Sequence, residues 1–433
     1  MALLVLPICF YGLVYKRAKE YGSRDRVMIY SVFVLYVIAM IYYCNYVNSI
    51  ANIGMGIPGA DMLAHFRGAE KLSEGLGWKS LAVIASRYEA VGITTIGYFL
   101  YTALLRILIF TFPILSTEAN VYCVYIIQIT FALNAAMRLS SAYSTLSPKN
   151  NGRLNYFLFV ALCAPYMVQS SQLMRDIYYM FFLSIVIEIL VKNYYVEDSA
   201  ERHLLGELEK HRMRFYLVLF VLMAISILMR FYVAMIVLPI FLYYTKHEKI
   251  GMISSLTISV ILIAGGSVVN LLKTVLGVPW DFGSFTIGEF FYFLLFPNVM
   301  NQSKYIMNWS SYFVGLDVGG CNVPGIYYAV SIWNIYVLPL AFIGIYNRIK
   351  EDIIGKSKFE ETVMWLSILI NTVAVYCISY DSIDNRAKLL MSISILFFAT
   401  KGYQISTKRI KGFRLLYNVV IVAFAGLLLL VNI

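Results

Sequence analysis

The chain has 433 residues, 60% of them hydrophobic and 14% charged, with a mean hydropathy of +0.73; soluble domains carry about 25% charged residues, so a soluble fold is excluded and an all-α polytopic membrane protein is expected. The net charge of +11 is no sign of nucleic acid, because the Lys and Arg residues gather in short segments between apolar runs, where they set orientation in a bilayer. Six cysteines, mostly inside apolar runs and without a Cys-x-x-Cys pair, give neither a disulfide framework nor a zinc site.

The first apolar run, Ala2 to Tyr15, lacks the basic start and small-residue cleavage pattern of a signal peptide and is expected to be a retained span. Lys16 to Arg26 (KRAKEYGSRDR) reads as an inner loop, so the span Val27 to Tyr46 returns the chain outside. Residues 47–89 then form the first outer loop. Within it, Gly59 to Gly77 (GADMLAHFRGAEKLSEGLG) is a polar island that spaces Asp61, His65, Arg67, Glu70 and Glu74 by three and four residues. On a helix Asp61 and His65 share one side, while Met62, Phe66, Ala69 and Leu72 form another, which predicts an amphipathic helix lying along the membrane surface.

Further spans are expected at Ala90 to Thr111 and Val121 to Tyr143, and Asn155 to Lys192 holds two span lengths broken by Gln169 to Asp176 (QSSQLMRD). With Glu197 to Arg214 inside, four full crossings break the parity of the topology. One of the four segments must re-enter or lie in the interface, and the sequence does not say which. Phe215 to Leu228 and Phe231 to Tyr244 read as two short spans hinged at an outer Arg230, with KHEK (Lys246 to Lys249) inside. Ile253 to Val275 leads to a long outer loop, Leu276 to Pro324, and Ile326 to Tyr346 returns to an inner loop, Asn347 to Lys358. Val363 to Ser379 leads out to Tyr380 to Arg386, Leu389 to Thr400 comes back to the basic Lys401 to Arg414, and Leu415 to Val431 ends outside. The sum is about twelve or thirteen spans in a single membrane domain.

This topology collects polar residues at outer span ends: Asp61 and His65, Arg230, then Asp381, Asp384, Arg386 and Lys388, with Arg175 and Asp176 if Gln169 to Asp176 is an outer turn. A charge at bilayer depth costs about 2.5–3.5 kcal/mol on insertion scales, so each is a candidate for function. Arginines take phosphate through paired hydrogen bonds, and a lone carboxylate suits a general base. Each has an ordinary reading too. Asp61 is a favoured helix cap, Arg230 can snorkel to the interface, Arg175 and Asp176 can flank a turn, Asp384 and Arg386 can be a solvated pair, and His65 can be a surface residue. The long outer loop sets Trp280 and Trp309 beside Asp281, Glu289 and Asp317, a mixture that suits carbohydrate or lipid headgroups. Nucleotide-binding, hydrolase and zinc-protease motifs are absent from the sequence.

Asp61, His65, Ala69, Leu72 and Gly75 resemble the first outer loop of GT-C type glycosyltransferases, where an early acidic residue is followed by an aromatic or His, small apolar positions and a glycine. Tyr101 to Phe110 is similar to the Arg-bearing span of that fold, Cys163 to Phe182 to its Pro, Ser and Asp segment, and Ser382 to Ile393 to its late Arg-containing span. The resemblance covers about the first 190 residues and that late stretch, each motif being loose and their order the more persuasive. It implies inverting transfer of a sugar from a polyprenyl-phosphate donor to a glycan or lipid-linked acceptor, at the outer face of a bacterial plasma membrane. By position, Asp61 is then the base and Arg386 and Arg230 hold the donor phosphate. The family's acidic pair is here Asp61 followed by Met62, which offers no second carboxylate for a metal at that place, and a divalent cation stays open as cofactor. Two other functions compete. A polysaccharide polymerase or ligase would rely on the outer arginines and the loop Leu276 to Pro324, and a lipid-linked oligosaccharide flippase would show internal repeats and midplane charges.

Overall fold

The computed structural model describes residues 1–50, 54–57, 60–75, 93–111, 115–146, 153–196, 212–264, 326–355, 358–380 and 385–431, and among these every regular element is helical. That is what apolar segments require: in hydrocarbon each backbone N–H and C=O must bond within its own segment. The elements are α1 (Ala2–Cys9, prolonged by a π-helical Phe10–Tyr15 and a last turn Lys16–Ala18), α2 (Ser23–Ile50), α3 (Ala60–Ser73) and α4 (Ile93–Leu105, prolonged by a π-helical Arg106–Phe110). They continue with α5 (Thr117–Leu146), α6 (Arg153–Ala161), α7 (Ala164–Ser170), α8 (Asp176–Val196), α9 (Arg212–Met229) and α10 (Ala234–Tyr244, after a 3-10 turn Phe231–Val233). The last are α11 (Glu248–Ala264), α12 (Ile326–Ile353), α13 (Phe359–Tyr380), α14 (Asn385–Arg409) and α15 (Phe413–Val431).

Within α2, α5, α8 and α14 lie four stretches long and apolar enough to cross a bilayer, Ser23–Ser49, Thr117–Leu146, Asp176–Tyr195 and Leu389–Arg409, and the chain is a helical membrane protein. Their burial separates their roles. The apolar window of α5 is 83% buried and that of α2 only 33%, so α5 is the central post and α2 a peripheral helix. The outward side of α2 exposes Val34, Ile38, Ile41 and Tyr42, a surface suited to lipid rather than water.

α8 works as a ruler between two polar ends of the bundle. Asp176 is its first residue, and Glu188, twelve positions on, lies about 18 Å away at 1.5 Å per residue. At the Asp176 end, Arg230 closes α9 and pairs with Asp176. At the other end, Glu188 is held by Arg17, Arg138 and Lys192, while Glu20 takes Arg153. There too Tyr194 meets Tyr243, Tyr244 and Glu248, and Glu361 accepts from Tyr195, Tyr244 and Arg348. α9 therefore runs antiparallel to α8, and α10 turns back alongside it. Arg230 is extended (φ −149°, ψ 108°), and the hinge expected between two apolar runs is a true helix break.

α4 differs from a span in its contacts. Gly97, near its start, lies against Leu228 and Met229 in the last turn of α9. At its finish, the carbonyl of Ile109 accepts from Asn120 in the first turn of α5. Both belong to the Asp176 end of the bundle. Of the four segments among which the sequence left one not crossing, Ile93–Phe110 is the one whose two ends return to the same pole. Its approach to α9 needs glycine: a Cβ on Gly97 would stand 2.3 Å from the Leu228 carbonyl oxygen.

α12 and α14 cross in the same way at Gly344 and Gly402, where an added Cβ would meet the carbonyls of Phe398 and Leu340 at 1.9 Å. Small residues at such crossings let backbones approach closely. Two expected loop starts are corrected here. α12 runs on to Ile353 and α14 to Arg409, through residues read as the loops Asn347 to Lys358 and Lys401 to Arg414. Lys, Arg, Gln and Glu are good helix formers, so the helix outlasts the apolar run. The continuation is fixed by pairs of Arg348 with Glu361 and Lys401 with Glu351.

Candidate functional site

The Asp176 end is built from breaks. A left-handed turn joins α2 to α3, with positive φ at Gly54, Met55 (59°) and Gly56. Asn48 accepts the Gly56 N–H at 2.6 Å, and the Tyr125 hydroxyl donates to the Met55 carbonyl at 3.1 Å. α3 is thus attached to both α2 and α5 before it begins. Its buried face carries Met62, Ala64, His65, Phe66, Ala69 and Leu72, while Arg67, Lys71 and Glu74 are exposed.

The amphipathic helix is as expected, but His65 is not on its polar side. It is buried at 4% exposure, stacked on Tyr98 with ring centroids 5.0 Å apart and edge-on to Tyr101 at 4.9 Å. The spacing explains this. His65 stands three after Met62 and four before Ala69, which puts it on the apolar stripe as firmly as its distance from Asp61 puts it on the polar one. Tyr98 closes the seat by donating to the Ala64 carbonyl at 3.0 Å.

From Tyr101 the contacts lead inward. Gln128 of α5 donates its amide nitrogen to the Tyr101 hydroxyl at 3.4 Å and to the Met174 carbonyl at 3.0 Å, and the Tyr101 ring lies 5.5 Å from that of Tyr178. Met174 belongs to the turn between α7 and α8. From the same turn Gln172 donates to the Tyr43 hydroxyl at 3.3 Å, which points in turn at the Met62 sulfur at 4.0 Å. Two independent chains of contacts therefore tie α3 to the segment that ends in Arg175 and Asp176.

Asp176 is fully buried, and Arg175 and Arg230 are 5% exposed. Arg230 donates from Nε and Nη2 to the two Asp176 oxygens, both at 3.2 Å, a forked arrangement that uses both carboxylate oxygens. The N-terminus of α8 adds its own partial positive charge beside Asp176. With two arginines and one aspartate, the three side chains sum to one positive charge.

The structure brings His65, Arg175, Asp176 and Arg230 together at one end. Asp61 lies in the first turn of α3 and Arg386 and Lys388 at the start of α14, as backbone positions only. Trp280, Trp309 and Asp384 fall outside the described residues. Tyr98, Tyr101, Gln128, Tyr43 and Gln172 were not singled out from the sequence. Gln128 gave a signal there as one of two amides, with Asn134, inside the apolar run Val121 to Tyr143, and Gln172 as part of the polar break Gln169 to Asp176. Among the described residues no group of His, Cys, Asp and Glu is arranged to hold a metal. Comparisons with protein-family models, with curated proteins and with solved structures find no match.

Proposed function

We propose that this protein is an inverting membrane glycosyltransferase that moves a sugar from a polyprenyl-phosphate donor to a lipid-linked or glycan acceptor at the outer face of a membrane. The observation that carries the reading is the pair of contact chains, through Tyr101 and Gln128 and through Tyr43 and Gln172, that tie α3, the helix that begins at Ala60 and includes Asp61, to the segment ending in Arg175 and Asp176. Asp61 acts as the base toward the acceptor hydroxyl. Arg175 and Arg230, with Arg386, balance the donor phosphate, and Asp176 holds Arg230 in its forked geometry. In this reading the Asp176 end is outside, the end with Arg17, Arg138 and Lys192 is inside in keeping with the excess of basic residues in inner loops, and α4 is a re-entrant helix. A divalent cation is not needed by any of these roles.

The test is product formation by purified protein in detergent with polyprenyl-phosphate sugars and lipid-linked acceptors, wild type against Asp61→Asn at matched amounts. A general base contributes roughly 10²–10⁴-fold, so the variant is expected to lose at least two orders of magnitude. Equal turnover by the two proteins would refute the assignment.

A second reading, a polymerase or ligase of lipid-linked repeat units, is favoured by the burial of Arg175 and Arg230. It predicts tolerance at Asp61 together with loss at Arg230 and Arg386. A flippase would move the lipid-linked sugar in proteoliposomes without making product.

A further inference from the structure

Several buried polar groups near the Asp176–Arg230 pair, among them Gln128, Gln169, Tyr178 and Tyr179, carry an atom with no hydrogen-bond partner among the described residues, and Gln128 and Tyr179 are the two that bear on a ligand. Gln128 is fully buried in α5, and its amide nitrogen donates to the Met174 carbonyl at 3.0 Å. A carbonyl only accepts, so this bond fixes which way the amide faces. Its oxygen is left with no donor among the described residues. Tyr179, in the first turns of α8, is also fully buried, and its hydroxyl has no hydrogen-bond partner there. Its electrostatic neighbours are Tyr232, Asp176, Arg230 and Tyr166. Those of Tyr101, which receives the Gln128 amide, include Tyr178 and Asp176. Tyr179 stands three residues after Asp176 on α8, about one helical turn, and Gln128 is bonded to the carbonyl two residues before Asp176.

Burying a polar atom without a partner is unfavourable, and a bound group that completes it relieves that cost. The chemistry restricts what that group is. The Gln128 oxygen needs a donor, so a phosphate oxygen would be repelled. A hydroxyl both donates and accepts, and it satisfies an amide oxygen and a tyrosine hydroxyl equally well.

We infer that Gln128 and Tyr179 recognise hydroxyl groups of the sugar on the lipid-linked substrate, while Arg175 and Arg230 face its anionic part. The identity of the ligand rests on the glycosyl-transfer reading. The requirement for a hydrogen-bond donor comes from the Gln128 oxygen alone.

The experiment compares thermal unfolding and binding of the purified full-length protein with undecaprenyl phosphate and with undecaprenyl phosphate carrying glucose, galactose, mannose or N-acetylglucosamine. The wild type is expected to bind at least one sugar-bearing lipid more tightly than the bare one. Tyr179→Phe removes a hydroxyl that has no hydrogen-bond partner among the described residues, so its unliganded unfolding temperature is expected to be no lower, while its preference for the sugar-bearing lipid falls by about tenfold. Gln128→Met is expected to lose the same preference. Equal binding of all lipids by the wild type overturns the inference, as does an unchanged preference in Tyr179→Phe. A Tyr179→Phe protein that unfolds earlier yet keeps its preference also overturns it, since the hydroxyl then holds a structural water. Turnover is read separately with the wild type. A protein that shows the preference without making product refutes glycosyl transfer and leaves hydroxyl recognition standing.

Discussion

Asp176 and Arg230 lie 54 residues apart in sequence and share two hydrogen bonds of 3.2 Å, one residue opening a helix and the other interrupting the passage between two. A buried pair of this kind is costly to break from one side, because the remaining charge stays in a low-dielectric interior; the typical loss is about 3–5 kcal/mol. Asp176→Asn and Arg230→Gln are each expected to lower stability by that order. The double substitution is expected to cost less than the sum of the two. Chemical unfolding in detergent of all four proteins measures the coupling, and additive losses would mean that the pair holds nothing together.

Glu188 is a second test of the same physics at the opposite end. It is 4% exposed in its side chain and faced by Arg17, Arg138 and Lys192. Glu188→Gln leaves three cations without their common partner, and a loss of about 3 kcal/mol is expected. Arg138→Gln in the same protein is expected to recover part of it. An accumulation level and unfolding midpoint equal to wild type in Glu188→Gln would show that these charges are already satisfied by solvent.

The path of α4 is open to direct labelling. Glu74 and Ser116 are exposed and bracket α4 in sequence. Single cysteines at these two positions, in a protein freed of its own cysteines, are expected to react with a membrane-impermeant maleimide from the same side. A cysteine at Lys19, which is exposed near the Glu188 end, is expected to react from the other. Labelling of Glu74→Cys and Ser116→Cys from opposite sides would make α4 a full crossing.

Two backbone positions give changes of opposite sign. Gly402→Ala places a Cβ 1.9 Å from the Leu340 carbonyl oxygen, and since neither backbone can yield locally, a loss of about 3 kcal/mol is expected. Met55, at φ 59°, carries the strain of a side chain in the left-handed region, and Met55→Gly is expected to relieve about 1 kcal/mol of it, less the extra freedom gained by the unfolded chain. Thermal unfolding of the two variants beside wild type checks both signs.

The helical membrane class was legible from composition, and the breaks at Arg230 and at Gln169 to Asp176 from charges that interrupt apolar runs. Those are places where one residue contradicts its neighbours, and hydropathy records contradiction well. It records position poorly. Ile93 to Phe110 has the composition of a span and the contacts of a helix confined to one pole, because what turns it is the fit of Gly97 against α9 and not its polarity. Helix ends in α12 and α14 were hidden for a related reason: the hydropathy falls where the bilayer ends, whereas hydrogen bonding continues through Arg348 and Lys401. His65 was ambiguous by geometry, being in step with both faces of α3. Tyr98 and Tyr101, which decide the matter, look like any other aromatics in an apolar run.

The contact at Gly97 leaves no lateral play between α4 and the turn that delivers Arg230. α4 also carries Tyr98 and Tyr101, the rings that grip His65. The same helix therefore meets α3 at its two rings and α9 at its glycine, so that the packing of α3 and the position of the Arg230 turn are set by one element and not by two.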